Sequence, residues 1–219
     1  MTTQDGTIID LIVSKEAVAL PTAEILLQHY SSTDPIYHDP GCLHYDQRGT
    51  YIKHLFPVLT DNFMQNLQNL VQRLGVTSVI ELACGTGWLS YWMKAYNIPV
   101  QAAVDNGDWT SFAKKRLEHV IQGDAVEYVT LHPTVDMFVL SWPDMDDLAH
   151  RIWDAMSGGQ YLLYIGEGES GCNADDAFFE AVNDCIDEDE SAALCWGFLT
   201  FWGIHDGPQL IHKPNRTPA

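Results

Sequence analysis

Val79-Ile80-Glu81-Leu82-Ala83-Cys84-Gly85-Thr86-Gly87-Trp88-Leu89-Ser90 places a strand, a glycine turn and the start of a helix in immediate succession. The approach, Val76 to Leu82, is apolar and β-rich, as a strand buried on both faces should be. Trp88, Leu89, Trp92 and Met93 then fall on one stripe of a helix. Between them Gly85 and Gly87 lack a Cβ, so the backbone can turn tightly and lay its N–H groups against a nucleotide-type cofactor at a helix N-terminus. An ordinary glycine turn between a strand and a helix is the competing reading.

Working outward, Ile98-Pro99 ends a turn, and Val100-Gln101-Ala102-Ala103-Val104 reads as a second strand closing on Asp105. A carboxylate about 20 residues beyond a glycine loop suits sugar hydroxyls in nucleotide-binding folds. Alternatively, Asp105, Asn106, Gly107 and Asp108 form a polar turn that caps the next helix. Val120-Ile121-Gln122-Gly123-Asp124-Ala125 gives a short strand, with Asp124 as N-cap of a helix over Ala125 to Thr130. A fourth strand, Val135 to Leu140, runs into Ser141-Trp142-Pro143-Asp144. The pattern then predicts a helix from Asp146 to Met156, a strand from Gln160 to Ile165, and a helix from Asp175 to Ile186 capped by Asn173. Two last β-rich runs, Ala193 to Ile204 and Pro208 to His212, are joined by the hairpin signal Asp206-Gly207.

The spacing Glu81-x-x-x-Gly85-x-Gly87 resembles motif I of the class I S-adenosylmethionine-dependent methyltransferases, with Ala83 in place of the first glycine. A dinucleotide-binding fingerprint fits less well, because its third glycine would fall at Ser90. The resemblance spans roughly residues 76 to 213. It implies a Rossmann-like three-layer α/β/α fold, a mostly parallel seven-stranded sheet ending in an antiparallel hairpin, with an N-terminal helical extension. It also implies S-adenosylmethionine as cofactor. Glu81, Ala83, Cys84, Gly85, Gly87 and Trp88 would form the cofactor loop, and Asp105 would take the ribose with Asn106 beside it at the cofactor. Asp124 would meet the adenine, with Ala125 beside it at the cofactor, while Ser141 and Trp142 would touch the cofactor near the transferred methyl group.

Composition restricts the partners. The 219 residues are 46% hydrophobic and 11% aromatic, enough for a sizeable core. Eleven basic against thirty acidic residues give a formal charge of −19, which repels nucleic-acid phosphates. The basic cluster Lys114-Lys115-Arg116 reads as a solvated helix face. No apolar run reaches the ~18 residues of a membrane helix, the N-terminus lacks a basic signal start, and five scattered cysteines suit a reducing compartment, so the cytoplasm is expected.

Residues 1–58 form an N-terminal extension expected to cap the site, ahead of a cofactor-binding domain over 59–219 that begins with a helix from Asp61 to Leu74 stopped by Gly75. Tyr30, Tyr37 and His38 are candidates to close the site, and Tyr51 or His54 to approach it; packing on the core is the alternative for each. His38, Asp39, Cys42 and His44 match no common zinc spacing, and a turn around Pro40-Gly41 explains them better. Asp144, Asp146, Glu167 and Glu169 are oxygen donors of the kind magnesium prefers, yet so acidic a chain places carboxylates in many loops; no metal is assigned. The stretch Gly166 to Cys172 suggests a loop close to a ligand or a plain connection, and its acids would raise the Cys172 thiol pKa. Methyl transfer needs alignment and exclusion of water more than acid–base groups. The catalytic candidates are therefore few: Ser141, Trp142, Tyr30 and His38. The expected activity is methyl transfer to a small-molecule or peptide-like acceptor. The alternatives are an inactive S-adenosylmethionine-binding sensor or partner subunit, and an enzyme that cleaves the cofactor.

Overall fold

The computed structural model describes residues 12–15, 17, 19–31, 41–107 and 116–215, without the side chains of Gln47 and Thr50. The candidates Tyr37, His38 and Asp39 lie outside these residues, as do Asp108, Lys114 and Lys115. The described chain runs α1 (Ala23–Tyr30), β1 (Cys42–Leu43), α2 (Arg48–Tyr51), α3 (Asp61–Arg73), β2 (Val79–Leu82), α4 (Trp88–Ala95), β3 (Val100–Asp105) and β4 (Val120–Gln122). It continues through α5 (Ala125–Leu131), β5 (Met137–Ser141), α6 (Leu148–Ala155), β6 (Tyr161–Glu167), α7 (Asp176–Val182), β7 (Ile186–Asp187), α8 (Glu188–Cys195), β8 (Thr200–Phe201) and β9 (Asp206–His212).

Seven strands form one sheet in the order β4-β3-β2-β5-β6-β9-β7. The first five of these are parallel, and β9 runs antiparallel to both β6 and β7. Alternation along the strands sorts the core into two layers. Val79, Val139, Leu163 and Leu210 face one side, where Phe63, Leu67 and Leu70 of α3, Leu89 and Trp92 of α4 and Leu194 of α8 cover them. Ile80, Leu82, Phe138, Leu140 and Tyr164 face the other, under α5, α6 and α7 through Val129, Ile152, Trp153, Phe178 and Val182. This is the expected Rossmann-like three-layer arrangement. The N-terminal section adds Ile12, Leu26, Leu43 and Tyr51 to the first layer, and a two-stranded parallel pair, β1 with β8, fastens it to the segment after α8.

Local signals explain the helix ends. Thr60 caps α3 by accepting from Phe63 N–H, and Gly75 ends it at φ +67 while Val76 N–H reaches Val71 O. Asp124 Oδ1 accepts from Glu127 N–H at 2.8 Å, the expected cap of α5.

The C-terminal part differs from the expectation in three ways. Residues 188–195 are helix α8, capped by Asp187 on Glu190 N–H, where a strand was read from Ala193. Asp206-Gly207 is not a hairpin turn: Gly207 pairs with Gly166 inside β9, and the chain reverses instead near Gly203 at φ +77. Pro208 is tolerated there because β7 pairs only with Leu210 and Ile211, leaving β9 with a neighbour on one side. Asn173 does not cap α7. Asp175 does, by accepting from Phe178 N–H, and the helix stops at Val182 so that Ile186 can join the sheet.

Candidate functional site

The strand order reverses between β2 and β5, and the crevice beyond the carboxyl ends of such strands is where open α/β sheets bind ligands. Ala83 leaves β2 there, beside Asp105 at the end of β3, Asp124 after β4 and Ser141 at the end of β5.

The loop after β2 packs three left-handed residues into five positions: Ala83 at φ +48, Gly85 at +55 and Gly87 at +85. For Ala83 this conformation costs ~1–2 kcal/mol. At Gly87 no side chain fits, since a Cβ would stand 2.4 Å from Val120 Cγ2. Cys84 N–H bonds Val104 O at 3.0 Å, and Gly87 N–H bonds Cys84 O at 3.0 Å. Gly87 is the N-cap of α4 and has no side chain to cap it. Glu81 does so from across the loop, its Oε2 accepting from Ser90 N–H at 2.9 Å. Burial pushes the Glu81 carboxyl up to about 8, the Ser90 hydrogen bonds oppose this, and the charge of Asp105 adds to it. Burial, then Glu81 and Asp105, also raise the Cys84 thiol, which stays neutral.

Asp105 is 3% exposed and already occupied by backbone. Its Oδ2 accepts from Gly85 N–H at 2.9 Å and its Oδ1 from Gly107 N–H at 2.8 Å, with Arg116 Nη1 3.7 Å away. Arg116 is therefore a partner of a buried carboxylate, not part of a solvated basic face, and it lies in a loop. Gly123 N–H bonds Asp105 O at 3.1 Å, which sets the Asp124 turn beside the Asp105 turn.

A cavity of about 190 Å³ opens between these turns. Asp105, Asn106, Asp124 and Ala125 line one side, and Ala83, Trp142, Pro143, Asp144, Asp146 and Leu148 the other. Among these lining residues are four aspartates and no Lys, Arg or His. A second cavity of about 30 Å³, near the size of one water, lies on the other side of the loop. Its floor is Glu81, Ala83, Cys84, Gly85, Thr86 and Ser141, and its roof is Ile52 and His54 to Pro57. The Thr86 hydroxyl donates to the His54 carbonyl and holds that roof down. Ser141 Oγ is buried there without a hydrogen-bond partner among the described residues.

Trp142 sits in a setting that its neighbours in the chain do not announce. Its backbone is left-handed at φ +51, a costly conformation for a bulky residue. Its Nε1 donates to Asp206 Oδ2 at 3.0 Å, the ring stacks on Phe56 at 5.3 Å, and the Arg48 guanidinium lies 5.5 Å from the ring centroid. Burial pushes the Asp206 carboxyl up, against the indole hydrogen bond. Arg48 and Phe56 belong to no motif, and the one local signal at Asp206, its turn-like pairing with Gly207, points away from this contact.

The remaining candidates are dispersed. Trp88 is buried edge-on to Tyr91 in the core. Tyr30 packs on the N-terminal apolar cluster and lines neither cavity. Tyr51 is buried, its hydroxyl donating to Pro57 O at 3.0 Å, whereas His54 lies in the roof of the small cavity. Glu167 is spent on backbone, accepting from Cys172 N–H at 2.8 Å and His205 N–H at 3.2 Å. Burial alone would raise its pKa, but these bonds bring it below the ordinary value. Asn173 closes the same loop by accepting from Glu167 N–H and donating to Pro143 O, both at 2.9 Å, so the Gly166 to Cys172 stretch is a knitted wall. Its hydrogen bond to Glu167 raises the Cys172 thiol pKa, as the acidic surroundings implied. Among the described residues no three His, Cys, Asp or Glu side chains converge to hold a metal.

No family model matches the sequence, and no curated protein matches it. Solved structures are similar in fold at low identity. Human N-acetylserotonin methyltransferase in complex with S-adenosylmethionine aligns over 70% of this chain and 55% of its own, at 15% identity and a TM-score of 0.40. TehB from Haemophilus influenzae aligns over 68% and 62%, at 11% identity and 0.40. The mitomycin 7-O-methyltransferase MmcR aligns over 68% and 53%, at 13% identity and 0.40. The chain thus spans little more than half the length of these proteins. The strand order of the chain itself makes the fold Rossmann-like. Among the described residues no helix is long and apolar enough to cross a membrane.

Proposed function

We propose that the chain binds S-adenosylmethionine and transfers its methyl group to a small-molecule or peptide-like acceptor. One observation carries the reading: a cavity at the reversal of strand order gathers Asp105 and Asp124, the candidates for ribose and adenine, with their neighbours Asn106 and Ala125. The residues present fit such a cofactor. The aspartate lining favours a cationic ligand, and Ser141 Oγ offers an unused hydrogen-bonding group beside the loop. Asp124 spends Oδ1 on its helix and has a second oxygen for the adenine amino group. Each Asp105 oxygen has one lone pair beyond its backbone bond for a ribose hydroxyl. The bound cofactor supplies an electrophilic methyl group. The protein's task is then alignment and exclusion of water, which the roof over 52–57 and the Trp142 wall serve.

Residues 1–58 act as cover and 59–219 as the cofactor domain. The charge of −19 speaks against a nucleic-acid acceptor, and five free cysteines fit the reducing cytoplasm. A second reading, a cofactor-binding module without transfer, is favoured by one feature: the space beside the loop is only about 30 Å³, too little for an acceptor unless the roof lifts. Isothermal titration calorimetry with S-adenosylmethionine and S-adenosylhomocysteine tests binding, and a labelled methyl group tests transfer. Heat from neither ligand rejects the cofactor reading. Binding without label transfer across an acceptor panel selects the module, and labelled cofactor fragments without an acceptor select cleavage.

A further inference from the structure

Glu81 is an acid carried into the sheet interior, 2% exposed, with no ion pair among the described residues. It edges the small cavity and is also hydrogen-bonded to Ser90, whose amide and hydroxyl both face it. Ser90 is fully buried, and its Oγ lies 2.9 Å from His119 Nε2 and 3.0 Å from Gly87 O. His119 is half-buried just before β4 and reaches the surface. The three side chains form a continuous row from the cavity to solvent.

We propose that Glu81 is neutral in the empty site and that a cationic group settling beside the loop drives its proton out through Ser90 and His119. The Glu81 carboxyl gives its hydrogen to Ser90 Oγ, Ser90 passes its own to His119 Nε2, and the imidazole releases one from Nδ1 to water. The net change is one carboxyl O–H lost, the imidazole hydrogen moved from Nδ1 to Nε2, and one proton gained by the buffer; the ring returns to its first tautomer by exchange with water at the surface. The inference rests on the cofactor reading, which supplies a ligand with sulfonium and ammonium charges.

The charges around Glu81 agree. Asp105 on β3 opposes its ionisation, Lys94 on α4 favours it, Cys84 is neutral, and His54 stands across the cavity. Burial outweighs them and holds the carboxyl near 8. Desolvation, then Lys94 and to a lesser degree Lys15, push His119 below its ordinary value against a hydrogen bond to the Gly87 carbonyl, which keeps the ring neutral. An ionised Glu81 in the empty cavity would be a buried carboxylate without a counter-charge; a cation beside it removes that penalty.

Calorimetry of S-adenosylmethionine binding at pH 7 in two buffers of different ionisation enthalpy counts the protons. The wild type should release about one more per ligand than Glu81→Gln, whose carbonyl still accepts from Ser90 N–H. Equal counts overturn the inference while leaving the cofactor reading intact. Ser90→Ala and His119→Phe should preserve the count but slow its appearance with an indicator dye in stopped flow, and an unchanged rate overturns the path. In the ligand-free protein, ¹³C NMR of the Glu81 carboxyl, identified by its loss in Glu81→Gln, should titrate near neutrality or above. A midpoint in the usual carboxylate range overturns the neutral state whether or not the ligand binds. Failure of both proteins to bind S-adenosylmethionine refutes the cofactor reading instead.

Discussion

Replacing Asp105 with alanine should damage the fold and the ligand site by separable amounts. The carboxylate receives two backbone N–H groups, Gly85 at 2.9 Å and Gly107 at 2.8 Å, and it is 3% exposed. Hydrogen bonds to a charged acceptor contribute ~1.5–3 kcal/mol each, so removing both costs the fold about 3–6 kcal/mol. Arg116 also loses its partner at 3.7 Å, though its side chain is 28% exposed and water compensates it. In a chain of 219 residues each kcal/mol moves Tm by ~2–4 °C, so a fall of roughly 6–24 °C is expected, within what a stable domain survives. If the same oxygens hold ribose hydroxyls, S-adenosylmethionine affinity falls a further ~1.5–3 kcal/mol, roughly 10- to 150-fold. Asp105→Asn sharpens the test, since its oxygen can serve Gly85 or Gly107 but its NH₂ must face the other N–H. Thermal denaturation reads the first quantity, and calorimetry well below the variant's Tm the second. A Tm within 2 °C of wild type refutes the backbone role, and unchanged affinity in a folded variant refutes the ribose role.

Three other outcomes are expected. Glu81 binds its proton up to about pH 8 when folded but only to about 4.5 when unfolded; the folded state therefore holds the extra proton across that window, and stability declines as pH rises through it. Against Glu81→Gln, the wild type should lose ~1.4 kcal/mol per pH unit between about 5 and 8 and then level off, as measured by urea denaturation; a constant difference refutes the raised pKa. Asp136 Oδ2 accepts from the amides and hydroxyls of Thr77 and Ser78 at 2.8–3.0 Å, and these bonds outweigh burial to lower its pKa. Its stabilisation is present above the unfolded value of 3.8 and fades as pH falls through the lower folded one, so Asp136→Ala should cost ~1–3 kcal/mol at pH 7 and progressively less in acid. Gly87→Ala would set a Cβ 2.4 Å from Val120 Cγ2 at φ +85, and should lower Tm and abolish detectable ligand binding; wild-type affinity would show that the loop does not need this conformation.

The sequence was legible where structure follows from neighbours in the chain. The strand into Leu82, the turn through Gly85 and Gly87, the Gly75 stop and the Asp124 cap all depend on contacts a few residues apart. The C-terminal third was misread where a local signal competed with a distant one. Asp187 and Glu190 announce α8, but the apolar run from Ala193 resembles a strand until Gly197 breaks it at φ +85. Asp206-Gly207 has turn chemistry, yet pairing with Glu167 and Gly166 holds it extended. The site divides in the same way. Asp105, Asn106, Asp124 and Ala125 could be placed from strand ends and do line one cavity. The Arg48, Trp142 and Phe56 stack joins residues far apart in sequence, and the His54 carbonyl meeting Thr86 is a main-chain atom with no compositional trace.

The parallel pair Cys42 with Thr200 and Leu43 with Phe201 has a consequence for the order of assembly. On a ribosome, the strand at 42–43 emerges long before its partner exists, and only closure of a very long loop unites them. The β2 to β5 centre of the sheet can meanwhile form from segments already made. The segment ending at Pro57 therefore gains its last anchor, together with the Val58 bridge to Leu199, only after residues 199–201 have been synthesised. A nascent chain arrested before residue 196 would hold the ceiling of the small cavity by the Thr86 bond to the His54 carbonyl alone, without the ties to residues 199–201 that later clamp it.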